Sequence, residues 1–278
     1  MGRVHLDVLR GLQGVEVTAV VDPVAAGATH RDVDALLAGE RPDGVVVATP
    51  STLHVDVVTQ LLEAGIPTLC EKPCGTRSDE ARAAVARAVR TGTPLQIGYW
   101  RRFVPELREL RRRVVRGDFG DVLLVRSEQW DASPPAPAFR ASSGGILVDM
   151  GVHELDQIRW LTGQELTPRA AVASAARAAG DPDAVEATLE LSGGGIAVVS
   201  LGRRYPPGDM CRVTVLGTEA VEECAFMWPP DSERSFAAGI AAEDAAFVEL
   251  VRGGEQQGAG AADAVAALAA AEATAALL

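Results

Sequence analysis

Two short stretches of this 278-residue chain hold the residue types that move protons. One is Glu71-Lys72-Pro73. The other opens at Gly144-Gly145 and runs through Asp149, His153 and Asp156 to Leu161. It reads as a loop entering a helix. Val152, Leu155, Ile158 and Leu161 recur every third residue as a buried stripe, while Asp149, His153 and Asp156 fall at i, i+4 and i+7 on another face. A carboxylate one turn from an imidazole favours the imidazolium and fixes the ring, which prepares a histidine for general acid/base work near neutral pH. The same pair on a solvated face is an ordinary surface ion pair, and it is Lys72 that tips the reading toward chemistry. Two other chemistries lack their residues. His153-Glu154 begins like a zinc-protease helix, but Gln157 stands where the second histidine belongs, so no metal is expected. No serine sits in a Gly-x-Ser-x-Gly elbow.

Composition bounds the scaffold that must hold these residues. The length suits one large or two ordinary domains. A net charge of -12, from 26 Lys and Arg against 38 Asp and Glu, argues against nucleic acid or an anionic membrane as partner and for a small neutral ligand. No apolar run of membrane-spanning length and no secretory signal appears. Cys70, Cys74, Cys211 and Cys224 lack paired zinc spacing, so a reducing cytoplasm is expected. Cys70 and Cys74 flank Glu71-Lys72-Pro73 and read as small buried hydrophobes.

In chain order, Gly2 to Arg10 reads as a helix and Val15 to Asp22 as a strand ending on an acid. An Asp about 20 residues past a glycine-rich turn accepts from the adenosine ribose hydroxyls and disfavours a 2′-phosphate, although by itself it is only a turn former. Asp32 to Leu37 is a short helix. Asp43 to Pro50 is a continuously apolar strand whose carboxyl end, Ala48-Thr49-Pro50, lies where open α/β sheets bind ligands. A helix from Leu53 to Ala64, a strand from Pro67 to Pro73, a helix from Asp79 to Arg90 capped by Ser78, and a strand from Pro94 to Tyr99 continue the alternation of a doubly wound parallel sheet. The first domain is placed at 1–103. After a basic helix from Pro105 to Val115 the period changes to two at Val122–Trp130, Val185–Leu191, Gly195–Arg203 and Arg212–Leu216, so 104–278 is read as an α+β domain with a mainly antiparallel sheet. Ala261 to Leu278 is an alanine-rich helix able to pack back on the first domain.

Taken together these pieces resemble the Gfo/Idh/MocA family, the relatives of glucose-fructose oxidoreductase and inositol dehydrogenase. The resemblance rests on Ala48-Thr49-Pro50 with His54, Glu71-Lys72-Pro73, Gly98-Tyr99-Trp100-Arg101-Arg102-Phe103, and Gly144-Gly145 through Asp149 and His153 to Trp160, in the family's order over most of the length. It implies a Rossmann domain followed by a domain with a large open sheet whose face makes a homodimer or homotetramer. It also implies that Lys72, Asp149 and His153 are catalytic. Oxidising a secondary alcohol needs a base for the hydroxyl proton, suited to His153, and a positive charge near the oxygen, suited to Lys72. Asp149 would orient both, and Lys72 beside an incipient imidazolium should have its own pKa depressed. Cofactor contacts are expected at Gly2, Arg3, Asp22, Ala48, Thr49, Pro50, His54, Glu71, Lys72, Pro73 and Arg101. Tyr99, Trp130, Asp131 and Tyr205 are candidate contacts to a polyol or sugar, since aromatic faces stack on C–H groups and carboxylates take hydroxyl protons.

The sequence departs from the family at its beginning. Gly2 matches only the last glycine of Gly-x-Gly-x-x-Gly, and the central strand expected before it is absent. Only eight residues, Pro23 to His30, follow Asp22, too few for a crossover helix. The Rossmann half is therefore expected to be incomplete and to bind dinucleotide poorly. The activity expected is NAD-dependent dehydrogenation, with NADP less favoured because of Asp22. A degenerate relative that only binds a sugar or a partner, and a redox-neutral lyase or glycosidase using bound NAD, are the competing readings.

Overall fold

A computed structural model describes residues 1–39, 41–174, 177–178 and 180–278. Helix α1 (Gly2–Gly11) and the short α2 (Val33–Ala38), capped by the Asp32 carboxylate on Ala35 N, precede β1 (Val45–Val47). A 3₁₀ turn and α3 (His54–Glu63) lead to β2 (Thr68–Glu71), then α4 (Ser78–Thr91) and β3 (Leu95–Gly98). Strands β1, β2 and β3 run parallel, and every residue of β2 and β3 is buried, as uninterrupted apolar runs require when helices cover both faces. The start of α4 differs from its expected cap. Ser78 is already helical, and the Glu80 carboxylate takes the N–H groups of Thr76 and Arg77 instead.

A 3₁₀ turn at Trp100–Phe103 and α5 (Pro105–Arg116) carry the chain to β4 (Val122–Trp130). Next come α6 (Pro137–Ser142), a π-helical turn at Leu147–Gly151 and α7 (Val152–Thr162). The remaining strands are β5 (Leu166–Ala173), β6 (Arg177–Ala178), β7 (Asp181–Pro182), β8 (Ala184–Leu191), β9 (Ile196–Gly202), β10 (Met210–Gly217) and β11 (Val221–Met227). Five of them join β4 in one six-stranded sheet in the order β11-β10-β4-β9-β8-β5, antiparallel except at β4–β9. The long α8 (Ser232–Val251), β12 (Ala259–Gly260) and α9 (Ala261–Ala275) then return to the first sheet. Strand β12 pairs antiparallel with β3, Phe247 and Leu250 of α8 pack on Leu69 of β2, and Glu272 of α9 accepts from both the N–H and the hydroxyl of Ser78 on α4.

The strand expected at Val15–Asp22 does not form. Among the described residues its only ladder contact is a bridge from Val21 to His30, with Val20 O accepting from Thr29 N and His30 N. A strand is stabilised by a partner on the hydrogen-bonding edge, and β1 pairs with β2 alone, so this segment's apolar pattern has no ladder to join.

Helix α1 is held by a buried charge. His5 is 2% exposed, its Nδ1 lies 2.7 Å from Asp244 Oδ1 on α8, and its Nε2 lies 3.0 Å from Glu71 Oε1 on β2. Burial alone would lower the imidazole pKa, but the two carboxylates outweigh it and raise it to about 9. A pKa raised above its unfolded value stabilises the fold fully below pH 6.5 and loses that contribution as pH passes 9. The shift corresponds to about 3 kcal/mol by linkage. Urea unfolding of wild type should therefore weaken between pH 7 and pH 10 by an amount of this order relative to His5→Gln. Parallel curves for the two proteins would remove the charged-histidine clamp.

Candidate active site

Lys72 follows β2 directly, so its side chain leaves the carboxyl end of the parallel sheet, where side chains and ligands meet in such folds. Its Nζ donates to the Asp149 carbonyl at 2.7 Å and lies 3.5 Å from Asp149 Oδ1. The other carboxylate oxygen of Asp149 accepts from Arg203 Nη1 at 3.0 Å. A cleft of about 220 Å³ between the sheet ends and α6 is lined by Met1, Ala48, Thr49, Pro50, Ser51, His54, Glu71, Lys72, Pro73, Phe139, Ser143 and Asp149. His54 ties two of these edges together, with Nδ1 2.8 Å from Pro73 O and Nε2 2.8 Å from Thr49 O. Neutral imidazole donates only one of these bonds at a time.

His153 lies on α7 and is not among the residues lining the cleft. The stripe of Val152, Leu155, Ile158 and Leu161 is buried as expected, but the opposite face is buried too, carrying His153, Glu154, Asp156 and Gln157 below the surface. The imidazole stands edge-on to Tyr99 with 5.9 Å between ring centres, and its Nδ1 has no hydrogen-bond partner among the described residues. A raised imidazole pKa was expected from Asp149; the structure gives the opposite. Burial, and then the charges of Lys72 and Arg101, hold the His153 pKa well below 6.5. The expected i, i+4 pairing does not form in the structure, where Leu147–Gly151 is π-helical. The Asp149 carboxylate is instead engaged by Lys72 and Arg203. Asp156, expected on the same working face, is an ion-pair partner of Arg102 at 2.5 Å.

Seven of the expected cofactor residues, Ala48, Thr49, Pro50, His54, Glu71, Lys72 and Pro73, line the cleft together. Gly2 borders it: a Cβ there would sit 3.7 Å from Ala48 Cβ, and the first turn of α1 opens beside Met1. Arg3 is exposed on that turn and Asp22 lies outside the cleft lining. The Asp22 Oδ1 accepts from Val24 N and Ala25 N, which together hold its carboxyl below the usual carboxylate range. Arg101 is not at the cleft. It is 3% exposed, with Nη1 on Glu154 at 2.5 Å and Nη2 on Gln129 at 2.7 Å.

Among the expected substrate contacts, Asp131 is half-buried, and the partial loss of water raises its pKa. The Gln129 side-chain bond opposes that rise, and the charges of Asp209 and Asp149 add to it. Tyr205 is fastened beside it through Tyr205 N to Asp131 O at 2.8 Å. Trp130 faces the other way. Strand alternation points Ser127 and Gln129 toward Glu154 and Arg101, so Glu128 and Trp130 lie on the open face, where the indole donates to Ser200 at 3.0 Å and its ring covers Gly202. Sequence reasoning missed Arg203, Ser143 and Phe139. Arg203 directly follows β9 two residues before Tyr205, a strand-end position that offered the one available signal.

Comparison with known proteins accords with this geometry. Residues 1–99 match the family model described as oxidoreductase family, NAD-binding Rossmann fold, and residues 107–221 match the GFO/IDH/MocA C-terminal domain. The chain is 47% identical to the rhizopine catabolism protein MocA of Rhizobium meliloti over 100% of its own length and 92% of that relative. It is 33% identical to an inositol 2-dehydrogenase of Rhizobium meliloti (strain 1021), over 79% of the chain and 71% of the relative. The solved structure of a myo-inositol dehydrogenase from Corynebacterium glutamicum ATCC 13032 superposes with a TM-score of 0.89 at 25% identity, covering 99% of this chain and 92% of that one.

The placement of Arg101 gives a prediction distinct from that of a cofactor contact. Arg101→Ala strands Glu154, which is 0% exposed, and removing one partner of a buried pair costs about 3–5 kcal/mol. Its midpoint in urea should fall sharply; an unchanged midpoint with weakened NAD binding would instead restore Arg101 to the cofactor.

Proposed function

This chain belongs to the GFO/IDH/MocA oxidoreductase family, and from that premise we propose that it oxidises a secondary alcohol of a cyclic polyol or sugar, passing the hydride to NAD. The observation that carries the reading is the meeting of Lys72, from the end of β2, with Asp149, from the turn before α7, in one cleft beside a His153 held uncharged. The residues fit a nicotinamide nucleotide. Its pyrophosphate suits the first turn of α1, where backbone N–H groups lack helical partners, and its nicotinamide end suits the cleft beyond Ala48, Thr49 and Pro50. When bound, NAD supplies the hydride acceptor.

The chain's own groups handle the proton. Lys72 places positive charge beside the cleft and favours an alkoxide-like oxygen. His153, neutral at rest, is free to accept the hydroxyl proton, and Asp149 sets the position of Lys72 through both its carbonyl and its carboxylate. Asp131 and Tyr205, tied by their backbones, are the proposed contacts for the remaining hydroxyls, with Tyr99 backing the His153 ring. We place the cofactor half at 1–103 and the substrate half at 104–278. The proposed homodimer or homotetramer uses the open face of the six-stranded sheet, where sedimentation velocity tests it. Four free cysteines suit a cytoplasmic setting, and among the described residues no helix is long and apolar enough to cross a membrane.

The test is NADH formation across a panel of inositols and aldoses. His153→Ala or Lys72→Ala should lose about two to four orders of magnitude in kcat with the fold intact, and near wild-type turnover by either variant would sink the assignment. Because the His153 pKa lies below 6.5, the acid limb of kcat/KM should fall below that pH as well. A limb at or above 7 would identify a different base. Wild type should bind NAD more tightly than NADP, and Asp22→Ala should narrow that ratio, since Asp22 repels a 2′-phosphate.

A further inference from the structure

Arg203 is the largest fully buried side chain of the molecule among the described residues, and nothing in the proton chemistry above uses it. It stands at the end of β9 between two carboxylates, with Nη1 3.0 Å from Asp149 Oδ2 and Nε 3.0 Å from Asp181 Oδ2. Asp181 in turn accepts from Ile146 N at 2.8 Å and lies 3.1 Å from Arg140 Nε on α6. Ile146 follows Gly144 and Gly145, whose φ values of 81° and 85° mark the bend into the π-helical turn that carries Asp149.

We propose that Arg203 is a positioning residue of the active site: by holding Asp149 Oδ2 it turns that carboxylate away from His153 and leaves the imidazole without an anionic partner. The inference rests on the functional reading above. Three observations fit together in it. Asp149 sits four residues before His153, where a helical turn would pair them, yet its oxygens go to Lys72 and Arg203. His153 Nδ1 is buried and unpartnered, the state expected of a ring whose natural acceptor has been withdrawn. And the turn is anchored from outside the site through Asp181, so the carboxylate has a fixed place to be held.

The consequence for the base follows from charge. The groups that act on the ring are Lys72 beyond β2 and Tyr99 and Arg101 beyond β3, while Asp131 beyond β4 is near enough to interact with both Lys72 and Asp149. Two cations act on the ring and Asp149 is engaged by Lys72 and Arg203, which agrees with the low His153 pKa. Without Arg203, Asp149 regains the freedom to accept from His153 Nδ1, and the proton affinity of the ring rises.

The test reads the ring itself. Imidazole resonances of the full chain are followed against pH by NMR in the absence of substrate, with His153→Gln used to assign the signal. Arg203→Met should raise the His153 midpoint by about one unit or more, a tenfold rise in proton affinity, and Arg203→Lys should return it toward wild type. Asp181→Asn, which frees the turn but keeps Arg203, should leave it low. A folded Arg203→Met with an unmoved midpoint overturns the proposal, and so does an Asp181→Asn as shifted as Arg203→Met, since loosening alone would then explain the effect. If Arg203→Met does not fold, Arg203→Ala, which also removes the donor to Asp149, carries the same test. With myo-inositol and NAD, the acid limb of kcat/KM should move upward with the midpoint while KM for NAD changes less than about twofold. Absence of turnover by wild type on any polyol would count against the functional reading and leave the titration to decide the role of Arg203.

Discussion

Two carboxylates of α7, Glu154 and Asp156, lie out of contact with water, and the arrangement around them follows from the cost of burying charge without a partner. Each takes one arginine of the 3₁₀ turn after β3: Arg101 reaches Glu154, and Arg102 reaches Asp156. Ser127 donates to Glu154 and in turn accepts from Gln157. The turn leaves the parallel sheet and the helix packs against the mixed sheet, so these pairs tie the two sheets together. In the same arrangement Lys72, at the end of β2, meets Asp149, in the turn before α7. Arg101 and Arg102 of the Gly-Tyr-Trp-Arg-Arg-Phe run thus bond to α7, and neither is among the residues lining the cleft.

Most of the fold was legible where pattern and covering agree. The apolar runs of β2 and β3, the period-two strands β4, β8, β9 and β10, and the stripe of α7 read directly because each buries the surface its pattern marks. Strand β5 escaped notice because Pro168 and a bulge interrupt its alternation, and β11 because charged Glu222 and Glu223 sit within it. Helix α8 was also missed. Its buried residues include Gly239, Glu243 and Asp244, none of which signals a core position. The Val15–Asp22 strand was read from composition alone, and composition does not reveal whether a ladder partner exists.

The candidate site was legible in membership and less so in geometry. Lys72, Asp149 and the Ala48-Thr49-Pro50 edge meet as their order in the chain suggests, since the carboxyl ends of parallel strands converge. Local periodicity misjudged the electrostatics. It predicted an acid–imidazole pair one turn apart, whereas a π-helical turn and a cation 54 residues further along the chain divide them. Trp130 and Arg101 were misplaced for a related reason: a side chain's direction depends on the pleat and on partners distant in sequence.

The return of α8, β12 and α9 to the first sheet bears on how the chain is made. Strands β1, β2 and β3 emerge from the ribosome long before residues 232–275, yet Leu69 is covered by Phe247 and Leu250, the outer edge of β3 is paired by Ala259 and Gly260, and α4 is bound by Glu272. The parallel sheet thus spends most of synthesis with an open edge and an uncovered face, a condition that favours association with other nascent chains and with chaperones. Closing it requires contacts across some two hundred residues, and the loop-closure entropy of such contacts slows their formation.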